Sequence, residues 1–305
     1  MDTIIAFYKF VKIDDLASLR TSLQNLTSKL HIRGTILIAH EGINSTLAGS
    51  SKNIATFRKK ITSDPRFSDL VFKTSYFEDV SFRRMLVKIK KEIVTMKSKD
   101  IDPTTGTGKY LPPNEFKKWK DERKEMIIVD TRNDYEVNLG TFKGAIDPDI
   151  KSFSEFPHWV DKNLADKKEK TIVTFCTGGI RCEKATAYMK KQGFHDVYQI
   201  EGGILNYFKE TKNSEETSHW QGDCVVFDKR KAVKPDLSIT NKEICYICLS
   251  NLSKENKSNH TYPAGSICLS CDESLIENQQ KRQELGKLKQ MANQKARIPY
   301  HRSND

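Results

Sequence analysis

The stretch Thr171-Ile-Val-Thr-Phe-Cys176-Thr-Gly-Gly-Ile-Arg181-Cys182-Glu-Lys-Ala-Thr-Ala187 decides the fold of the central part of this chain. Residues that favour β-strands lead into Cys176, two glycines follow, and a run of helix-forming residues begins near Cys182. This pattern predicts a strand, a tight loop and a helix. The backbone N–H groups of such a loop, the N-terminus of the helix and Arg181 all favour a negative charge. They would lower the pKa of the Cys176 thiol, and the thiolate is the reactive form of cysteine.

The spacing within the loop distinguishes between kinds of cysteine chemistry. Phosphatases of the C-x5-R type carry, six residues after the nucleophile, an arginine that binds phosphate through two hydrogen bonds. Here that position holds Cys182, and Arg181 comes one residue earlier. A six-residue loop opened by cysteine instead resembles the active-site loop of rhodanese domains, where the cysteine carries a persulfide. The alternative is a structural cysteine at the end of a core strand, because free cysteines are often buried.

We therefore predict that Cys176 is the catalytic residue and that Gly178, Gly179 and Arg181 support its thiolate. Cys182 lies six residues further on, in the first turn of the predicted helix. It either forms a disulfide with Cys176 as a resolving cysteine or only packs there.

Length and composition argue against a membrane protein and against a secreted one. The chain of 305 residues is long enough for two or three domains. It contains no run of 18 apolar residues, and charged residues occur throughout its first 20 positions, so we expect neither a transmembrane helix nor a secretory signal. Seven cysteines, mostly in closely spaced pairs, suit metal or thiol chemistry in a reducing cytoplasm. The expected location is therefore cytoplasmic.

The net charge of +11 is distributed unevenly along the chain. Residues 1–96 contain 16 Lys and Arg against 9 Asp and Glu, and residues 217–305 contain 14 against 10. The segment between them, residues 97–216, contains 21 of each and is neutral. Basic surfaces on both sides of a neutral catalytic module are typical of a protein that binds RNA, the commonest large polyanion in the cytoplasm. Lysines that serve only solubility would give the same distribution.

Residues 1–96 have the pattern of an α+β domain. Strand-like segments and helical stripes follow one another in the order βαββαβ, with room for one extra strand, which predicts a ferredoxin-like sandwich. The strand-like segments are residues 2–11, 34–39, 43–47, 71–77 and 86–94, and the helical ones are residues 16–30 and 54–61.

A basic cluster near the end of this domain, next to Phe82, is a candidate RNA-binding surface. Its members are Arg83, Arg84, Lys88, Lys90 and Lys91. Alternation along a strand would place Lys88 and Lys90 on one face, opposite Val87 and Ile89. The cluster would then bind the RNA backbone while Phe82 stacks on a base. The alternative is the polar face of an edge strand, where lysine discourages aggregation.

The middle of the chain changes character twice. Residues 97–112 are rich in Pro, Gly, Ser and Thr, which predicts a linker. Over residues 113–216, helix and strand signals alternate, which predicts a rhodanese-type α/β domain with a parallel sheet. Its strand-like segments include residues 126–130, 171–175 and 197–200.

Residues 217–305 are predicted to be a C-terminal extension with a metal site. Two CxxC pairs are separated by nineteen residues, a spacing that is typical of a zinc knuckle, and the four cysteines are Cys245, Cys248, Cys268 and Cys271. Four thiolates would give a closed, structural zinc site with no open position for catalysis. Redox-active or merely free cysteine pairs are the alternative. Residues 281–302 hold seven Lys and Arg and one acid, so this tail is either a basic helix or a disordered arm.

Motifs along nearly the whole chain coincide with one family. They are Gly34-Thr-Ile-Leu-Ile-Ala-His-Glu-Gly-Ile-Asn44, Phe82-Arg-Arg-Met85, Lys91-Glu-Ile-Val-Thr95, Asp130-Thr-Arg-Asn-Asp-Tyr-Glu136, Gly140-Thr-Phe-Lys-Gly-Ala-Ile-Asp147, Phe156-Pro157, Trp159-Val160, Cys176-Thr-Gly-Gly-Ile-Arg-Cys-Glu-Lys-Ala185, Glu201-Gly-Gly-Ile204, Val226-Phe-Asp228 and the double CxxC. With these motifs the chain resembles the rhodanese-domain tRNA uridine(34) hydroxylases. The departures are small, since His40 stands where proline is expected and Lys229 where glutamate is usual.

The resemblance implies an enzyme, an oxidoreductase of the monooxygenase type. Members of the family oxidise C5 of the wobble uridine to 5-hydroxyuridine with molecular oxygen, and they depend on the loop cysteine, which is Cys176 here. The implied partner is the anticodon loop of tRNA. No residue pattern in the chain indicates the reductant.

Two other functions fit part of the sequence. A rhodanese-type sulfurtransferase would carry sulfur as a persulfide on Cys176, taken from thiosulfate or a partner protein. It would explain neither the basic N-terminal domain nor the cysteine pairs. A non-catalytic tRNA-binding protein with a vestigial rhodanese domain is disfavoured by the intact cysteine, which such domains commonly lose.

Overall fold

The structure of the chain is a computed structural model that divides into two compact units, residues 1–240 and residues 241–305. It describes residues 2–77, 82–98, 100–211, 219–228, 230–245, 247–248, 250, 252–260, 266–274 and 276–277. Lys229 and the basic tail at residues 281–302 lie outside these described residues. None of the helices in the described ranges is long and apolar enough to span a membrane.

The first unit begins with a five-stranded sheet and two helices. The elements are β1 (Asp2–Phe10), α1 (Leu16–Lys29), β2 (Arg33–Ala39), β3 (Gly42–Gly49), α2 (Ser51–Ile61), β4 (Lys73–Phe77) and β5 (Met85–Ile89). The strands lie in the order β4-β1-β3-β2-β5, where β5 runs parallel to β2 and the other neighbours are antiparallel. The predicted βαββαβ order with one extra strand is confirmed.

Both helices pack on one face of this sheet. Alternate residues of each strand turn to that face, and there Ile5 and Phe7 of β1 share a core with Leu23 of α1 and Phe57 of α2. The regular alternation of apolar residues in the strands and the helical stripes is therefore what builds this domain.

The opposite face of the sheet carries two half-buried side chains that matter for the site, Tyr8 of β1 and Lys73 of β4. Lys73 pairs with Ala6 in the antiparallel register, and paired residues point to the same face. Ala6 and Tyr8 are two residues apart on β1, so all three side chains share this face. The Lys73 ammonium lies 5.5 Å from the centre of the Tyr8 ring.

β5 ends earlier than the sequence predicts. The strand expected over residues 86–94 ends at Ile89, and the N–H of Lys90 still donates to the carbonyl oxygen of Ile38. Val87 of β5 is buried, whereas Ile89, the last residue of this edge strand, is 41% exposed. The chain then leaves the sheet, and Met96 is buried in the core of the central domain.

A parallel four-stranded sheet is the centre of residues 109–211 of the first unit, as predicted. Its order is β6-β10-β9-β7. The elements are β6 (Lys109–Leu111), α3 (Pro113–Asp121), β7 (Ile127–Asp130), α4 (Asp134–Val137), β8 (Gly140–Phe142), α5 (Phe156–Asn163), β9 (Ile172–Phe175), α6 (Ile180–Lys191), β10 (Val197–Ile200) and α7 (Gly203–Thr211). β6 falls within residues 97–112, the segment expected to be a linker, because extended backbone there hydrogen-bonds to β10.

Residues 219–240, expected in the C-terminal extension, pack on the central domain. β11 (Trp220–Gly222) pairs with β8, and two short strands follow, β12 (Cys224–Val225) and β13 (Ala232–Val233). The Phe142 ring centre lies 5.0 Å from that of Trp220 and 4.9 Å from that of Phe175. Burial of this aromatic cluster explains why the polar segment around Trp220 is held against the sheet.

Candidate active site and cysteine cluster

Cys176 follows the last residue of β9 and is almost fully buried, with 1% of its surface exposed. The chain turns at Gly179, whose φ of 100° is in the left-handed region that favours glycine, and α6 begins at the next residue. The N–H of Gly179 donates a hydrogen bond of 3.0 Å to the Cys176 sulfur. The predicted strand, loop and helix are therefore present, and the loop presents backbone N–H groups to the sulfur.

The turn that leads into α7 packs against this loop. The N–H of Ile204 donates to the carbonyl oxygen of Cys176 at 3.0 Å, and the N–H of Leu205 donates to that of Thr177 at 3.2 Å. Gly203 has a φ of 72°, and a Cβ atom there would lie 2.4 Å from the Cys176 carbonyl oxygen. Only glycine allows this close approach, which explains one glycine of the Glu201-Gly-Gly-Ile204 motif.

Arg181, predicted to support the thiolate, forms a buried ion pair with Glu136 of α4. Its two terminal nitrogens lie 2.5 and 2.8 Å from the two carboxylate oxygens. Burial raises the pKa of Glu136, but the charge and hydrogen bonds of Arg181 lower it more, so the pKa lies below its usual range. Sequence reasoning assigned no role to Glu136, because its partner is 45 residues away and only the fold brings them together.

The surroundings favour a thiolate on Cys176 and a thiol on Cys182. Burial raises the pKa of Cys176, but hydrogen bonding with Cys182, the charge of Arg181 and the N–H groups of Arg181 and Gly179 lower it more. The pKa of Cys176 therefore lies well below the ordinary value for cysteine. Burial and the neighbouring Cys176 raise the pKa of Cys182 well above that value. Of the two thiols, Cys176 is therefore the one whose ionised form the surroundings favour.

Two side chains of the N-terminal sheet complete the surroundings of the loop. The Tyr8 hydroxyl donates a hydrogen bond of 3.0 Å to Glu183, and the Lys73 ammonium donates one to the carbonyl oxygen of Gly178. A Cβ atom at Gly179 would lie 2.8 Å from the Tyr8 hydroxyl oxygen, so this glycine also makes room for the tyrosine. Sequence reasoning missed Tyr8 and Lys73, because they lie in ordinary strand patterns more than a hundred residues from the loop.

Lys184 of α6 forms ion pairs that join the helix to the N-terminal domain. Its ammonium lies 2.7 Å from a carboxylate oxygen of Glu41 and 2.7 Å from one of Glu92, and its side chain is 3% exposed. Glu41 lies in the turn between β2 and β3, and Glu92 follows β5. From the sequence, the motifs around Glu41 and Glu92 were recognised only by their resemblance to the family. The contacts with Lys184 give a physical reason for the glutamate in each of these motifs.

The five basic residues predicted to bind RNA are exposed and lie in or beside β5. Arg83 and Arg84 precede the strand, Lys88 lies in it, and Lys90 and Lys91 follow it. Lys90 is the first residue after the strand, and its N–H still donates to the carbonyl oxygen of Ile38 on β2. Within the described part of the chain, neither arginine forms an ion pair, and no hydrogen bond or ion pair joins the cluster to the cysteine loop.

In the second unit, the four cysteines of the two CxxC pairs converge. The sulfur atoms of Cys245, Cys248, Cys268 and Cys271 all lie within 4.8 Å of one another, and those of Cys248 and Cys268 are 3.7 Å apart. The N–H groups of Ile247 and Cys268 each donate a hydrogen bond of 3.4 Å to the Cys245 sulfur. Burial raises the pKa of Cys245, but backbone N–H groups lower it more, to about 7. Four sulfurs arranged in this way can hold a metal ion.

Two family models match successive parts of the chain. Residues 3–93 match the UPF0176 acylphosphatase-like domain, and residues 112–210 match the rhodanese-like domain. The fold and the cysteine loop therefore define a rhodanese protein that carries an additional acylphosphatase-like domain at its N-terminal side.

A relative that is similar over nearly the full length of the chain identifies the family more narrowly. The tRNA uridine(34) hydroxylase of Picosynechococcus sp. is 43% identical over 283 residues, which cover 92% of this chain and 93% of that protein. The chain belongs to the tRNA uridine(34) hydroxylase family.

Solved structures with similarity to part of the chain include two rhodanese-like proteins. The Alr3790 protein from Anabaena sp. is 18% identical, covers 37% of this chain and 91% of that chain, and has a TM-score of 0.30. The rhodanese-like domain protein from Staphylococcus aureus is 28% identical, covers 32% and 90%, and has a TM-score of 0.28.

We predict that Gly203→Ala destabilises the protein more than Gly144→Ala. The two glycines have φ values of 72° and 76°, so alanine at either position strains the backbone by about 1–2 kcal/mol. Only at Gly203 would the new Cβ atom collide with backbone, the carbonyl oxygen of Cys176; at Gly144 the nearest atom is the Lys120 ammonium at 4.0 Å. Denaturant unfolding of both variants measures the difference. Equal losses of unfolding free energy would show that the loop does not depend on this approach.

Proposed function

We propose that this chain hydroxylates C5 of uridine 34 in the tRNA anticodon, with Cys176 as its catalytic nucleophile. The observation that carries the proposal is a buried cysteine whose surroundings favour the thiolate, in a chain that is 43% identical over 92% of its length to a tRNA uridine(34) hydroxylase. None of the seven cysteines forms a disulfide, which suits a protein of the reducing cytoplasm, and we place the reaction there.

A thiolate at this position can activate the uracil ring by addition. The Cys176 sulfur forms a bond to C6, and the π electrons of the C5–C6 bond move to C5 and the neighbouring carbonyl as an enolate. C5 then attacks molecular oxygen, the co-substrate, and protonation gives a hydroperoxide. Two electrons and two protons from a reductant cleave the O–O bond, which leaves the hydroxyl group and releases water. Loss of the C5 proton and departure of the thiolate restore the ring.

The residues around the loop support this role of Cys176. The N–H of Gly179 holds the sulfur in place, and the backbone at Gly178 continues the tight turn. Arg181, fixed by its ion pair, maintains a positive potential at the loop. We propose that Cys182 packs beside Cys176 and is not itself required for hydroxylation. The alternative is a resolving thiol that closes a disulfide with Cys176 after oxidation.

The basic cluster fits the polyanionic substrate. We propose that the phosphates of the anticodon arm are bound by Arg83, Arg84, Lys88, Lys90 and Lys91. These side chains are exposed, and the first 96 residues carry 16 Lys and Arg against 9 Asp and Glu. The target base must leave the stack of the anticodon loop to reach a buried sulfur, so a separate surface has to hold the RNA backbone during the reaction.

We propose that the ion held by the four cysteines is zinc. Tetrahedral zinc with Zn–S bonds of about 2.3 Å places neighbouring sulfurs about 3.8 Å apart. The sulfurs of Cys248 and Cys268 are 3.7 Å apart, which fits this geometry. Four thiolates fill all the positions of the ion, so its role would be structural.

Cys176→Ser should abolish the formation of 5-hydroxyuridine without unfolding the protein, because a serine hydroxyl is not ionised near neutral pH. Cys182→Ser, in the first turn of α6, is the matched control and should retain activity. Mass analysis of tRNA nucleosides from cells that lack the protein and carry either variant measures the effect. Activity in the Cys176 variant together with its loss in the Cys182 variant would reverse the assignment. Unchanged 5-hydroxyuridine in cells without the protein would instead favour a sulfurtransferase.

Replacing Arg83 and Arg84 together by alanine should weaken tRNA binding and flatten its salt dependence. Each phosphate that the protein no longer neutralises reduces the slope of log K against log salt by about 0.7–0.9. The matched control replaces Lys59 and Lys60, two exposed lysines of α2, and should leave the slope unchanged. Binding is measured at several salt concentrations, with the melting temperature of each variant. A variant that melts earlier but keeps the wild-type slope would identify a structural role for the arginines.

Removal of the metal should loosen the second unit without directly stopping the chemistry at Cys176. Binding of structural zinc is coupled to folding, so chelation should lower the melting temperature of this unit and weaken tRNA binding. Metal analysis of the purified full-length chain should find about one zinc ion per chain. Purified protein that contains no zinc and melts identically with and without chelator would refute the assignment.

A further inference from the structure

Lys73 is the cation that the N-terminal domain brings to the cysteine loop. Its ammonium donates a hydrogen bond to the carbonyl oxygen of Gly178, two residues after Cys176, and lies 5.5 Å from the centre of the Tyr8 ring. The side chain reaches this place from β4, at the edge of the sheet, across the face that the helices leave free.

The charged groups around Lys73 include the reacting thiol. Burial lowers the pKa of Lys73 below its usual value, although the charges of Cys176 and Glu183 oppose this effect by raising it. The interaction is mutual, since a positive charge that is favoured by the Cys176 thiolate also favours that thiolate. The negative charge of the Cys176 thiolate also acts on Tyr8. Burial raises the pKa of Tyr8 most, followed by the charges of Glu183 and Cys176.

The cation within the loop itself is already paired. Arg181 binds both carboxylate oxygens of Glu136, so Glu136 balances part of the positive charge that Arg181 presents to the thiolate. Glu183 adds a buried negative charge nearby, and the side chains that donate hydrogen bonds to it are neutral: Tyr8, Tyr110 and Gln199. A thiolate at Cys176 adds a negative charge in the neighbourhood of Glu136 and Glu183, and Lys73 is a cation that opposes it.

Docking of the two domains determines where Lys73 lies. The ion pairs of Lys184 with Glu41 and Glu92 and the hydrogen bond from Tyr8 to Glu183 hold the N-terminal sheet on α6. Lys73 belongs to that sheet, so its ammonium reaches the loop only in the docked arrangement.

We propose that Lys73 is a positioning residue of the active site, and that the docked N-terminal domain stabilises the Cys176 thiolate through it. The N-terminal domain then has a part in the chemistry in addition to binding RNA. The nucleophile is fully activated only when both domains are assembled. This inference deepens the proposed function, since it rests on Cys176 as the nucleophile.

The test is a titration of the Cys176 thiolate in the full-length protein. The ultraviolet absorbance of thiolate is followed against pH, and the same titration of Cys176→Ser is subtracted, which removes the contribution of the five cysteines that are not coupled to Cys176. Cys182, the coupled thiol, is present in every Lys73 variant and in wild type, so it does not affect their comparison. The variants are Lys73→Met and Lys73→Gln, which lose the charge, and Lys73→Arg, which keeps it. Lys60→Met, an exposed lysine of α2, is the matched control.

Both neutral variants should raise the midpoint of the Cys176 titration by about one pH unit. Lys73→Arg and Lys60→Met should titrate close to wild type. Melting temperatures identify any variant that is unfolded. If one of the two neutral variants is unfolded, the titration midpoint of the other tests the inference. A neutral variant that is folded and titrates as wild type would overturn the inference, as would a shift in Lys73→Arg equal to that in Lys73→Met.

The same proteins separate this inference from the proposed function. A shifted titration in Lys73→Met together with 5-hydroxyuridine formation by Cys176→Ser would refute the proposed function and support the role of Lys73 toward the thiolate. An unshifted titration together with loss of hydroxylation in Cys176→Ser would support the proposed function and overturn the role of Lys73.

Discussion

A negative charge held out of water at the end of β9 is the constraint on which the rest of the structure depends. An ionised group in a buried site is costly unless nearby donors and opposite charges compensate for the lost hydration. Cys176 is 1% exposed, so its thiolate depends on the N–H of Gly179, on Arg181 and on Lys73. The first two are neighbours in sequence and the third comes from another domain. The groups that act on one sulfur therefore come from distant segments of the chain.

The helix after the loop shows how the two domains become one unit. Residues 181–189 of α6 are all buried, and three of them are charged in their ordinary state: Arg181, Glu183 and Lys184. An apolar surface could not cover such a helix, because buried charges need partners. The central domain supplies Glu136 to the arginine, and the N-terminal domain supplies Tyr8 to Glu183 and two carboxylates to Lys184. Docking is therefore specific, since a different orientation would leave these charges without partners.

Glycines at the loop serve packing as much as chain reversal. Gly179 has a positive φ and also lies against the Tyr8 hydroxyl, while Gly203 admits the backbone of the next strand–helix turn. A side chain at either position would push a neighbouring element away from the cysteine. The loop is thus in contact with the N-terminal sheet on one side and with the turn between β10 and α7 on the other.

Local patterns determined much of this protein from the sequence alone. The strand, loop and helix around Cys176, the βαββαβ order and the parallel sheet all follow from hydrophobic periodicity and turn residues within short windows. The convergence of the four cysteines also follows from spacing, since CxxC pairs present two sulfurs to one point. Where the local signal is weak the prediction failed, as at the end of β5 and at the short strand β6, because pairing with a neighbour decides where an edge strand stops.

Only the tertiary structure decided which side chains surround the thiolate. Glu136, Tyr8 and Lys73 lie 45, 175 and 105 residues from their partners at the loop or on α6. No spacing rule connects positions so far apart, and each occupies an ordinary helix or strand pattern. Electrostatic partners act through space, with an energy that depends on distance and burial. The sequence by itself therefore indicated the cysteine that we propose as the nucleophile and the loop that carries it, whereas the packing of two domains determined the charges that act on it.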